Sequence, residues 1–195
     1  MAAAVVAPIA AHALTFNFSV VASGGTPDGP APWATLTANQ NGANTVDFSL
    51  TNNSPGSTNQ FIRELDLNID PFRSGLSFAI LSDPTGVFDS NTFSHNGVNG
   101  INGNKFDEDV EFNTSGSRFT SGKTVTWRVT GTGLLVSDFD TLTSGGNGSM
   151  KAMLHMQGFN NGNSGKLGPG DPVPEPASMA VIGLGVAALA RRRKA

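Results

Sequence analysis

The chain has 195 residues, no cysteine and a formal net charge of −3. That length supports a single domain with its own core, and the absence of cysteine removes disulfides, thiol chemistry and Cys-bound zinc. Outside the four cations of the C-terminal tail, 8 basic residues face 15 acidic ones, a net of −7 that argues against nucleic acid or an anionic polysaccharide held by charge.

The first segment, residues 1–13, is rich in Ala, Val and Ile and ends in Ala11-His12-Ala13, a small-x-small pattern of the type that signal peptidase cuts. It reads as a signal peptide, with Ala11 and Ala13 flanking the cleavage specificity and Leu14 opening the mature chain. The usual basic n-region is missing, and the first formal side-chain charge is Asp28. The expected start therefore lies upstream, or the chain begins inside the signal.

Residues 14–159 alternate apolar and polar side chains, the pattern of strands with one face in a core and one in water. Phe16, Phe18 and Val20 share one face of the first run. Ala34, Leu36 and Ala38 follow Trp33; then come Val46, Phe48 and Leu50, and Phe61 with Leu65, Leu67 and Ile69. Leu76, Phe78 and Ile80 make the next run. Val110 with Phe112, then Val125, Trp127 and Val129, then Met150, Ala152, Leu154 and Met156 complete the set. Asn-Gly pairs at 41–42, 96–97, 99–100, 102–103 and 161–162, with Pro55-Gly56, punctuate the runs as turns. Only Ser137–Leu142 reads as a helical turn, capped by Ser137 or Asp138. The 24 glycines and 18 asparagines suit such a turn-rich chain, and 13 Phe and 2 Trp in alternating runs argue against disorder. Eight or nine strands without a long helix predict an all-β, antiparallel β-sandwich, jelly-roll or immunoglobulin-like. Residues 160–172, rich in Gly, Asn and Pro, read as a linker that lifts the domain off a membrane.

Residues 173–195 have three parts in a fixed order: Pro174-Glu175-Pro176, an uncharged, largely apolar run at 177–190, and a basic cluster of Arg191, Arg192, Arg193 and Lys194. The tripeptide excludes a helix. The apolar run spans about 21 Å as a helix at ~1.5 Å per residue, short of the ~30 Å hydrocarbon core. Such a transmembrane helix suits a temporary anchor, with snorkelling arginines closing part of the gap. The basic cluster stays cytoplasmic and places everything before Pro174 outside. This order resembles the PEP-CTERM sorting signal of Gram-negative bacteria. The resemblance implies that exosortase, an integral-membrane enzyme, processes the tail, and that the protein passes from the inner membrane to the cell surface or extracellular matrix. Leu36–Thr51, Phe61–Leu65, Val125–Leu134 and Leu154–Phe159 also resemble a recurrent ectodomain of PEP-CTERM proteins. That second resemblance implies a surface β-domain and carries no active site over to this chain.

Several constellations test this reading. Gly116 to Thr124 imitates a P-loop, but five residues separate its glycines and a strand follows, so it is a hairpin turn. Neither HExxH nor GxSxG occurs. A triad of His155 with a serine and an aspartate is the enzyme reading; a solvent-facing strand histidine is expected instead. Asp107, Asp109 and Glu111 share one face of a strand, with Asn102 and Asn104 just upstream, an oxygen donor set of the kind Ca²⁺ takes. A solvated acidic edge is the plainer reading. Glu64, Asp66 and Asp70 make a second acidic face of the same kind. Trp127 is expected in the core, whereas Trp33, after Pro30-Ala31-Pro32, is expected to be exposed and able to stack on a sugar. The function favoured is a non-catalytic surface or matrix protein associated with exopolysaccharide. The alternatives are a carbohydrate-binding module, calcium-dependent or not, and a secreted hydrolase.

Overall fold

The alternating runs fold as antiparallel strands around one core. The computed structural model describes residues 13–146 and 149–170; the signal segment before Ala13 and the sorting tail, including the expected helix at 177–190, lie outside the described residues. The strands are β1 (Ala13–Gly24), β2 (Ala34–Gln40), β3 (Thr45–Asn52), β4 (Phe61–Leu67), β5 (Ser77–Ser82), β6 (Phe88–Asn99), β7 (Lys105–Phe112), β8 (Phe119–Thr120), β9 (Thr124–Thr130), β10 (Ala152–Gln157) and β11 (Ser164–Pro169). Among the described residues there are two short 3-10 turns, Ile101–Gly103 and Val136–Phe139, and no helix long and apolar enough to cross a membrane. The second turn replaces the helical turn expected at 137–142. Asp138 caps it from inside, its Oδ2 accepting the Leu135 N–H at 3.0 Å.

One sheet takes in all the strands, in the order β5-β9-β3-β2-β1-β11-β10-β4-β7-β6, with β8 beside β4. The jelly-roll or immunoglobulin-like sandwich is therefore corrected to a single antiparallel sheet that curls into a nearly closed, barrel-like form. The reason lies in β1. Ala13–Phe18 pairs with β2, and the stretch from Phe18 to Gly24 pairs with β11. Register shifts between Phe18 and Val20 and between Val21 and Ser23 bend the strand, so it serves both halves of the sheet. The first shift also turns Val20 outward, where it is 50% exposed, although its parity with Phe18 predicts burial.

The two terminal strands of the sheet, β5 and β6, are consecutive in sequence. Asp83 shapes their connection by accepting the Val87 and Phe88 N–H groups at 2.9 and 3.0 Å. Phe78 of β5 meets Phe88 of β6 edge-to-face at 5.6 Å, and both rings pack on Trp127, at 6.2 and 5.8 Å. Trp127 also stacks on Phe48 at 5.1 Å. Aromatic packing thus spans the gap between the edge strands. Ile80 was expected in the core and is 52% exposed; β5 is an edge strand whose register shifts just after it.

Two further readings are corrected. Residues 160–172 do not form a linker throughout, because Ser164–Pro169 is β11, held between β1 and β10 in the middle of the sheet. Its glycines have packing reasons. A Cβ on Gly165 would lie 2.3 Å from the Gly25 carbonyl oxygen, so only glycine permits this approach. The sheet therefore ends at Pro169, beyond the 14–159 boundary. Trp33 is not an exposed platform. It is 6% exposed within the core cluster, and its Nε1 donates to the Gly29 carbonyl at 3.0 Å.

Candidate functional site

The outer face of β7, β4, β10 and β11 carries a row of charged residues, and the register dictates which of them meet. Directly paired residues share a face. One row across the sheet runs Ser90, Glu111, Glu64, His155 and Lys166; the next runs Thr92, Asp109, Asp66 and Met153. Leu65 and Val110, between these rows in sequence, point into the core and are fully buried. The sheet thus sets four carboxylates, Glu64, Asp66, Asp109 and Glu111, in a square on two adjacent strands. Glu64, Asp66 and Asp109 each offer an oxygen, and the three oxygens lie within 4.8 Å of one another. Among the described residues this is the one His/Asp/Glu grouping of that closeness.

The electrostatics of the square are uneven. The His155 hydrogen bond, Nδ1 to Oε2 at 3.3 Å, holds Glu64 below its usual range, assisted by Lys166 and Arg63. Burial, then the charges of Glu64 and Asp109, push Asp66 up to about 9. Burial, then Glu64 and Glu111, push Asp109 up to about 6. Asp66 is 0% exposed although it belongs to the outer face, and neither of its carboxylate oxygens has a hydrogen-bond partner among the described residues. Asp109 Oδ1 is likewise buried and unpartnered. Buried carboxylates without partners are costly.

On the inner face of β7 sits a fifth carboxyl that sequence reasoning missed. Glu108 has the parity of Phe106, Val110 and Phe112 and is fully buried. Burial pushes it up to about 8, against the opposing hydrogen bond from Asn91 Nδ2 at 3.0 Å. Its other oxygen has no partner. The run Asp107-Glu108-Asp109 offered no signal for it, since an acidic residue on either parity reads as solvated.

The residues expected to act together at 96–111 are dispersed. Asp109 and Glu111 both join the square, and Glu111 accepts Ser90 Oγ at 3.3 Å. Asp107 is buried and already used: its Oδ2 accepts Ile69 N–H at 2.9 Å, its Oδ1 accepts Asn96 N–H at 2.7 Å, and His95 Nδ1 lies 3.2 Å away. Asn104 is buried, its Oδ1 accepting the Thr143 hydroxyl at 2.9 Å. Asn102 sits at positive φ in the 3-10 turn and is exposed. His155, expected to face solvent, is instead largely covered beside Glu64, its side chain 12% exposed. Asp70 stands apart, its N–H donating to the Asp138 carbonyl in a loop. Ala13 is in β1, paired with Asn39; Ala11 and the sorting residues Pro174, Glu175, Pro176, Arg191, Arg192, Arg193 and Lys194 lie outside the described residues.

Comparison with known protein families finds a similarity in the tail. Residues 172–194 match the PEP-CTERM protein-sorting motif. That motif implies an exported protein sorted by exosortase, with a membrane-anchored intermediate before release at the cell surface. No curated protein and no solved structure matches the chain.

Proposed function

We propose that this protein is a non-catalytic component of the surface or extracellular matrix of a Gram-negative bacterium, delivered by exosortase and retained in or on exopolysaccharide. The observation that carries the reading is the sorting motif at residues 172–194, which begins two residues beyond the described end of the sheet at Gly170. Gly170 is itself tied down, its N–H donating to the Asn17 carbonyl at 2.8 Å. A domain whose last strand runs almost directly into the motif is carried close to the bilayer while the tail anchors it. The acidic balance of the body keeps it soluble and disfavours anionic partners, so a matrix partner would be neutral or engaged through a cation. The carbohydrate-binding alternative loses the aromatic residue that recommended it, because Trp33 is in the core.

Replacement of Pro174-Glu175-Pro176 by three alanines tests the sorting reading. The variant is expected to remain in the inner membrane with an intact tail, read by fractionation and intact-mass measurement. Release of the variant at the wild-type rate would show that exosortase does not act through this motif.

A further inference from the structure

We propose that Glu64, Asp66 and Asp109 bind a calcium ion on the outer face of the sheet, at the junction of β4 and β7. Two observations meet there. First, the three donor oxygens lie within 4.8 Å of one another. Any three points so spaced have a common point at most about 2.8 Å from each, and Ca²⁺–oxygen bonds are ~2.3–2.6 Å. The oxygens therefore need to close by only a few tenths of an ångström. Second, Asp66 is fully buried and directed at the other two carboxylates, and neither of its oxygens has a partner among the described residues. A solvated acidic edge would not bury its central carboxylate unpaired.

The donor set selects the class of ligand. Carboxylate oxygens suit hard cations, and the absence of any sulfur donor disfavours the softer ones. Mg²⁺ demands near-ideal octahedral geometry at ~2.0–2.1 Å, whereas Ca²⁺ accepts irregular sites with longer bonds. Donors fixed on two hydrogen-bonded strands cannot contract far, so the larger ion fits better. Glu111, opposite Glu64 on β7, adds negative field and is within one pair of the site. Lys166 on β11, Arg63 on β4 and His155 on β10 are the cationic groups that face it; His155 engages Glu64 Oε2 at 3.3 Å. The site differs from the one expected at residues 102–111, because it takes only Asp109 from that stretch and draws its other ligands from β4.

The test is thermal melting of the full chain, purified in detergent, with millimolar CaCl₂ or with a chelator. At a calcium concentration 100 times Kd the midpoint is expected to rise by about 5–10 °C. Asp66→Asn is expected to abolish that shift, since it removes the central oxygen donor with its negative charge. Asp109→Asn provides a second loss of the calcium response should the first variant fold poorly. Asn102→Gly, in the exposed 3-10 turn, is expected to keep the full response. Coincident wild-type curves in calcium and chelator would overturn the proposal. So would an undiminished shift in both aspartate variants, or a shift lost in Asn102→Gly alone. Each outcome is independent of how the tail is sorted.

Discussion

Glu108 shows most sharply how a side chain can be misjudged by its type. It points into the barrel among phenylalanines, and burial raises its carboxyl to about 8. Between the ordinary value of ~4.3 and 8 the native state holds a proton that the unfolded chain has released. The resulting stability is complete below pH ~4.3 and is lost as pH rises through 8. Glu108→Gln keeps the Asn91 contact and removes the titration. The variant is expected to match the wild type near pH 5 and to exceed it by roughly 3–4 kcal/mol at pH 8, measured by denaturant unfolding at both pH values. An equal difference at both would mean that Glu108 does not titrate in the folded state. Trp33 is the converse case, an aromatic expected on the surface that is part of the core. Trp33→Ala is expected to cost about 3–5 kcal/mol of stability, checked by the shift in denaturant midpoint at constant slope. A surface platform would cost a few tenths.

Among the elements, β11 carries the largest consequence. It contributes Leu167 to the core and closes the gap between β1 and β10. Without it the sheet would present two unpaired edges in its centre, each with open N–H and C=O groups. A chain truncated after Gly162 is expected to lose cooperative unfolding and to aggregate, whereas one truncated after Gly170 keeps the full-length transition, as read by circular dichroism and light scattering. Gly165→Val should behave like the shorter truncation, because its side chain would meet the Gly25 carbonyl oxygen. The bulges of β1 belong to the same scale. They let one strand pair with β2 over its first half and β11 over its second, which joins both halves of the sheet along a single strand.

For the whole molecule, closure and export are linked by where the chain leaves the fold. The sheet wraps from β5 to β6, and the edges of that wrap are filled by Phe78, Phe88 and Trp127 rather than by backbone pairing. The described chain begins on β1 and ends at Gly170 beside Asn17 of the same strand. The residues before Ala13 and the sorting motif at 172–194 thereby connect to neighbouring strands, β1 and β11. The calcium site lies two strands from that seam, across β11 and β10 on β4 and β7, where an ion would lock the part of the sheet that carries the unpaired carboxylates.

The sequence by itself determined the tail, most strands and most of the core. An ordered string of tripeptide, apolar run and basic cluster is read as chemistry in one dimension, so the sorting motif at 172–194 needed no fold to be recognised. Period-two alternation likewise exposed β2, β3, β4 and β9, because the buried face of a regular strand is a local property. The tertiary structure alone decided the rest. Which strands neighbour one another depends on long-range pairing, and the bulges in β1 that join the two halves have no signature in alternation. The glycines of β11 look like those of a linker until Gly25 is seen packed against them. Glu64, Asp66 and Asp109 are separated by more than forty residues at their widest, and only the Asp66–Asp109 register brings them together. A carboxylate's chemistry depends on what lies within a few ångströms of it, and in a sheet of this topology those neighbours come from distant parts of the chain.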